Sequence, residues 1–249
     1  MELLFVFILG AAIGSFLNVV ILRTPRDESV SFPASHCMSC NTPLRIWHNI
    51  PIFSWLFLRG KCAFCGEKIS MQYPLVEVLS GLIFLFSAMK MGINFPSFTL
   101  ALTFDVLLAL SVIDFRYKMV PDSLNLFALT TAMISASSFG EFGYNVTNAL
   151  LFAGGFTLLR FYLSYAIKKE AMGEADIMIA ATMGALLGVK LGLVAIFAGA
   201  ALALPALLLT QGESEESKQL PFIPFLAMGC WIVWMFDTYV TAYLAGLYG

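Results

Sequence analysis

The sequence predicts an all-α polytopic membrane protein, with about eight transmembrane helices and a cytoplasmic zinc-binding loop between the first and the second. Three observations carry that reading. Only 12% of the 249 residues are charged, where a soluble domain has about 25%. Apolar stretches of bilayer-spanning length recur along the chain, and mean hydropathy is +0.85. One long polar insert interrupts them and holds four of the five cysteines. The strand-like alternation of a β-barrel is absent. A net charge of −2 with no basic tail gives no reason to expect a nucleic-acid partner.

The first apolar run, 3–22, has no basic segment before it, so it is read as a retained span and not a cleaved signal. The insert, 23–74, follows. Seven further runs cover 75–91, 98–113, 123–139, 146–167, 177–189, 191–210 and 222–243. The sixth span is short and meets the seventh through Gly188-Val189-Lys190-Leu191-Gly192. It is therefore tilted, set in a locally thinned bilayer, or part of a re-entrant pair. Gly184, Gly188 and Gly192 are spaced for close helix approach, or are simply the glycine usual in membrane helices. The expected division is a first helix, 1–22, a four-cysteine loop, 23–74, and a transmembrane helical region, 75–249.

Basic residues orient this arrangement. With the N-terminus outside, the cytoplasmic segments hold Arg23, Arg26, Arg45, Arg59, Lys61, Lys68, Arg116, Lys118, Lys168, Lys169 and Lys218, and Arg160 can snorkel to the same side. That is 12 inside against Lys90 and Lys190 outside. The bias predicts both termini outside and the insert in the cytoplasm.

Cys37-x-x-Cys40 and Cys62-x-x-Cys65 are separated by 21 residues, each pair followed by a turn residue, Asn41 or Gly66. This spacing suits a tetrahedral zinc site with four thiolates. Disulfides fit a reducing cytoplasm poorly, and a redox dithiol needs only one pair. Four protein ligands close the coordination shell, so the metal would be structural and supply folding energy to a loop with little core of its own. His36 and His48 read as surface or supporting residues, and Cys230 as packing.

Two carboxylates, Asp114 and Asp176, stand at the edges of spans three and six. The predicted orientation puts both at the cytoplasmic face. A carboxylate pair sharing a proton can activate water with one member and protonate a carbonyl oxygen with the other, which suits peptide hydrolysis without a metal. A helix-end role competes: Asp114 beside Arg116 or Lys118, Asp176 at a helix start. Glu77, Asp105 and Asp237 also lie in apolar runs, as in a proton- or ion-coupled transporter, although no inverted repeat is visible. Asp105 lies about 13 Å along a helix from Asp114, too far to share its proton.

The surrounding motifs run through nearly the whole chain: Gly14-Ser15-Phe16-Leu17-Asn18-Val19-Val20 into Arg23-Thr24-Pro25, the two cysteine knuckles, and Pro51-Ile52-Phe53-Ser54-Trp55-Leu56. Then come Arg59-Gly60-Lys61-Cys62, Tyr73-Pro74-Leu75-Val76-Glu77, Ile113-Asp114-Phe115-Arg116, Val120-Pro121-Asp122 and Met172-Gly173-Glu174-Ala175-Asp176. In this order they resemble the type IV prepilin peptidase family, bifunctional leader peptidases and N-methyltransferases of pilus and type II secretion systems. The resemblance implies a bacterial inner-membrane enzyme that cuts the basic leader of prepilins or pseudopilins at the cytoplasmic face. It then methylates the new N-terminal amine with S-adenosylmethionine. It implies Asp114 and Asp176 as the catalytic pair and a methyltransferase-associated role for the cysteine loop.

The match departs from the family's GxGD signature at Ala175, which replaces a glycine, and at Ile177-Met178, where a lysine usually follows. Either the backbone there is ordinary helix, which alanine tolerates, or activity is reduced. A catalytically weakened assembly factor is thus a further alternative. No Rossmann fingerprint is present for the cofactor. Glu77 is the candidate for holding the substrate ammonium or cofactor hydroxyls, with Gly60 and Lys61 beside the second knuckle. Asn18 and Arg23 come next, against helix–helix hydrogen bonding for Asn18 and positive-inside anchoring for Arg23 and Lys61.

Overall fold

The computed structural model describes residues 1–170, 172–209 and 221–248. Among them the helices are α1 (Glu2–Arg23), α2 (Phe53–Phe57), α3 (Gln72–Met91), α4 (Phe95–Tyr117), α5 (Asp122–Ile134), α6 (Phe139–Ile167), α7 (Glu174–Leu209), α8 (Ile223–Met235) and α9 (Asp237–Tyr248). No β-strand forms among the described residues; two isolated bridges lie in the insert. Among the described residues five helices are long and apolar enough to cross a membrane, or six if the pair α8 and α9, bent by 78°, counts as one span.

Each of the eight predicted runs overlaps a helix, but the count of spans differs. The fourth-to-fifth connection is where the pattern misled: α5 is only 13 residues, and Phe139 starts α6 instead of ending α5. Predicted spans six and seven share α7. Its backbone leaves helical geometry at Gly188, with φ 71° and ψ −179°, a conformation open to glycine at little cost. A straight helix would separate Gly184 from Gly192 by about 12 Å, yet a Cβ on Gly192 would lie 3.6 Å from the Gly184 Cα. The chain folds back at Gly188, which realises the paired alternative for the short sixth span. Thr210, the predicted end of span seven, and Lys218 lie outside the described residues.

The chain forms two compact units, Met1–Ala101 and Leu102–Gly249. In the first, α1 and α3 pack almost backbone to backbone. A Cβ on Gly10 would meet the Ser80 carbonyl at 2.8 Å, and one on Gly14 would meet the Glu77 Cα at 2.8 Å. Small residues four apart allow this approach, and it brings polar groups into reach. Ser80 Oγ donates to the Gly10 carbonyl at 2.6 Å, and Asn18 Nδ2 donates to the Tyr73 carbonyl at 3.1 Å. Asn18 therefore has the helix–helix role set against cofactor binding. Arg23 holds the start of the insert, donating to the Ser29 and Pro33 carbonyls at 2.9 and 2.8 Å.

In the second unit glycines on both arms of α7 let neighbouring helices approach closely. Gly184 and Gly192 take the Phe152 ring of α6, and Gly199 meets Gly229 of α8 so closely that a Cβ on Gly229 would lie 2.6 Å from the Gly199 nitrogen. Phe104 of α4 packs edge-on against Trp231 and at a tilt against Trp234 of α8, at ring-centre distances of 4.8 and 5.6 Å. These contacts hold α4, α6, α7 and α8 together.

Candidate functional site

Asp114 sits three residues before the end of α4 and is 8% exposed. Its Oδ2 accepts the Ile223 N–H at 3.1 Å, and the Phe222 N–H also points to it. Those amides open α8, so the carboxylate takes the place of a helix cap in the favourable field of a helix N-terminus.

Asp176 stands in the first turn of α7, half-buried, with the Gly173 N–H as donor. It lies near enough to Asp114 for the two charges to act on each other. The two aspartates predicted from separate spans are thus brought together, each held by backbone donors. A second helix start, α7, adds its dipole at the same place. One water molecule between such carboxylates has a base on one side and an acid on the other.

Ala175 has ordinary helical geometry, since Gly188 is the residue of α7 that departs from it. The first of the two readings offered for that position holds: no left-handed backbone is required there. The close approach is instead at Gly173, where a Cβ would sit 3.2 Å from Asp176 Oδ2.

One residue escaped the sequence reading. Asn125 of α5 is fully buried, and its Nδ2 donates to the Ala175 carbonyl at 3.1 Å. Its Oδ1 is buried with no hydrogen-bond partner. The signal was present, an amide in the apolar run Leu124-Asn125-Leu126, where polar groups are costly. The Phe222, Ile223 and Gly173 amides carry no side-chain signature and were beyond sequence reasoning.

In the first unit the sulfurs of Cys37, Cys40, Cys62 and Cys65 all lie within 4.8 Å of one another, a group able to hold a metal ion. Each knuckle is closed the same way. Cys37 N–H bonds the Thr42 carbonyl at 3.1 Å with Asn41 at φ 54°, and Cys62 N–H bonds the Glu67 carbonyl at 2.8 Å with Gly66 at φ 73°. The predicted turn residues occupy the left-handed positions. The Thr42 hydroxyl and amide hold Cys40 below the ordinary thiol range, and the Cys65 and Phe64 amides do so for Cys62. For Cys65 the Glu67 amide favours the thiolate, but desolvation and the neighbouring thiols outweigh it and push its pKa up to about 12. A cation would replace that proton. His36 bonds the Ala34 carbonyl, and His48 packs edge-on against Phe64; neither belongs to the sulfur group.

Glu77 is buried in α3, and its Oε2 accepts the Ile52 N–H at 2.7 Å, with Ser15 as a further donor. Ile52 has φ 65° and ψ −54°, a rare conformation for a β-branched residue that costs about 1–3 kcal/mol. Gly60 and Lys61 serve the second knuckle. Gly60, at φ 68°, lies under the Trp55 ring, and Lys61 pairs with Lys68 in an isolated bridge. Of the three residues proposed for the cofactor, Glu77 alone is a buried charged group.

Relatives agree with the motifs. The description Bacterial Peptidase A24 N-terminal domain matches residues 8–91, and Type IV leader peptidase family matches residues 101–208. Proteins named prepilin leader peptidase/N-methyltransferase are similar over most of both chains. That of Stutzerimonas stutzeri is 34% identical over 94% of this chain and 91% of its own. That of Aeromonas hydrophila is 33% identical over 95% and 91%, and that of Neisseria gonorrhoeae 32% over 91% and 87%. No solved structure matches. Motif order, the aspartate pair at two helix starts and these similarities agree: the chain belongs to the type IV leader peptidase family.

Proposed function

We propose that this protein is a membrane aspartic endopeptidase that removes the basic leader of prepilins or pseudopilins and then N-methylates the exposed amine. The observation that carries the first half is the convergence of Asp114 and Asp176, each anchored by backbone amides, at the ends of apolar helices. One carboxylate takes a proton from water as it attacks the scissile carbonyl. The other gives its proton to the carbonyl oxygen, and the leaving amine is protonated as the tetrahedral species collapses. No residue of the chain changes its covalent state.

The second half rests on the first unit. When bound, S-adenosylmethionine supplies the methyl group. The Glu77 carboxylate retains lone pairs for the substrate ammonium or for cofactor hydroxyls, and Gly60 and Lys61, beside the second knuckle, are the other candidates. Zinc is the metal the sulfurs suit: Cys37 and Cys65 Sγ lie 3.8 Å apart, and Zn–S bonds of about 2.3 Å give a tetrahedron edge of about 3.8 Å. We assign the chain to the bacterial inner membrane as a multi-pass protein, both termini outside, with 23–74 in the cytoplasm and 75–249 supplying the peptidase helices. The basic-residue count supports that orientation. The transporter reading has no comparable support from relatives.

The test is incubation of the purified full chain with a prepilin in detergent, followed by intact-mass measurement. The expected result is loss of the leader, then gain of one methyl group when S-adenosylmethionine is present. An unchanged mass in both conditions would sink the assignment.

Asn125 is proposed as the positioning residue for Asp176, acting through the Ala175 carbonyl. Asn125→Leu keeps the heavy-atom branching and removes the bond. It should lower kcat for cleavage by about 10- to 100-fold with KM unchanged, the cost of a misplaced catalytic group. It should also alter the width of the pH–rate profile, because carboxylate spacing sets how far apart the pair titrates. An unaltered profile with cleavage and methylation falling together would mark a merely structural residue.

A further inference from the structure

The cysteine loop carries an apolar face that the proposed chemistry does not use. Ile46, Trp47, Ile50, Phe53, Leu56 and Phe57 are between 47% and 87% exposed. They lie on a short 3-10 turn, Ile46–Asn49, at its C-cap Ile50, and on α2. Exposed apolar residues in such number, next to each other in a polar insert, mark a surface meant to be covered.

Three observations say what covers it. The first is depth. The Ile52 N–H, at the start of α2, bonds the carboxylate of Glu77, the sixth residue of α3. At 1.5 Å per residue that point is about 8 Å inside the end of the α3 span. The face is therefore held beside a membrane helix, not above it. The second is the tether: the insert begins at Arg23, which ends α1, and closes at Gln72, which opens α3, and Arg23 clasps its first turn. Both ends are fixed to spans, so the loop has little freedom to leave the bilayer surface.

The third is chemistry. Arg45 and Arg59 border the face and are exposed, and the Arg45 guanidinium lies 5.5 Å over the Trp47 ring. Aromatic rings with a polar edge, aliphatic side chains and arginines are the composition of a segment at headgroup depth. Across the insert, 23–74, the charged side chains are Arg23, Arg26, Arg45, Arg59, Lys61 and Lys68 against Asp27, Glu28 and Glu67, six positive to three negative. Arginine forks match phosphate oxygens in two-point contacts.

We propose that this face is a membrane-interface anchor: Trp47, Phe53, Leu56 and Phe57 enter the phospholipid headgroup layer while Arg45 and Arg59 pair with lipid phosphates. The strained Ile52 and its bond to Glu77 set the depth. The anchor needs no catalysis, so it stands or falls separately from the proposed function. Seated this way, the metal knuckles would be held in register with a substrate amine emerging from the bilayer.

The experiment places the full chain in phospholipid nanodiscs, with or without a lipid carrying a nitroxide near the top of its acyl chain. Trp47 emission is the difference between the native protein and Trp47→Phe, since the other tryptophans are common to both. The nitroxide lipid should remove about half or more of that emission, as for an indole at headgroup depth. Trp47 emission unchanged by the nitroxide lipid overturns the proposal, including the case in which it becomes shielded from aqueous iodide only when a prepilin is added. That pattern would mean a polypeptide covers the face. The emission added by Phe57→Trp is a second probe on the same face and must be quenched alike. An unchanged metal-to-protein ratio checks that either variant keeps the loop folded.

Discussion

Asp114→Asn and Asp176→Asn should each lower leader cleavage by about four orders of magnitude, the loss seen when one member of an acid–base unit is removed. The amide is nearly isosteric with the carboxylate. Asn at 114 still offers an oxygen to the Ile223 N–H, and Asn at 176 one to the Gly173 N–H. Helix packing is thus preserved while proton exchange is lost. The double variant should be little worse than either single one, because the pair acts as a unit. Methylation of a substrate whose leader has already been removed should survive in all three proteins. Mass measurement on both substrates separates the two activities. Leader cleavage persisting in both single variants would take the pair out of the mechanism.

Cys37→Ser or Cys62→Ser should abolish tight zinc binding and methylation while leaving leader cleavage within about tenfold of the native rate. Structural zinc contributes on the order of 10 kcal/mol of apparent binding energy in small domains, which is also folding energy. Losing one thiolate removes much of it from a loop whose bridges are isolated and whose apolar residues are largely exposed. The measurements are metal content of the purified protein and methyl incorporation into a leader-free substrate. Native protein containing no zinc would contradict the assignment of the metal, and equal loss of both activities would contradict the division of labour. Chelation should reproduce the variants' phenotype, with recovery on adding zinc back.

Much of this was legible because membrane chains advertise their organisation. The helices follow from apolar run length, and both knuckles follow from Cys-x-x-Cys with Asn41 and Gly66 at left-handed positions. Misreadings arose where run length is ambiguous. Residues 123–139 are continuous enough to suggest one span, but Ser135 ends α5 and Ser138 caps α6, its hydroxyl accepting the Glu141 N–H at 3.2 Å. Serine's competing hydrogen bonds break the helix, and hydropathy does not register them. The spacing Gly10 to Gly14 was overlooked, although it sets the α1–α3 contact.

The sequence by itself determined the helical element types and the four-cysteine set, and it named Asp114 and Asp176 as candidates, because these depend on local composition and on the spacing of chemically distinctive residues. Only the tertiary structure decided that α7 folds back at Gly188, that the start of α8 faces Asp114, and that Asn125 supports Ala175. It also turned Glu77 from a lone acid in an apolar run into the clasp of Ile52. The physical reason is common to all four. Backbone amides and carbonyls are the same at every position, so where they point is fixed by packing between distant segments, and no side-chain pattern announces it.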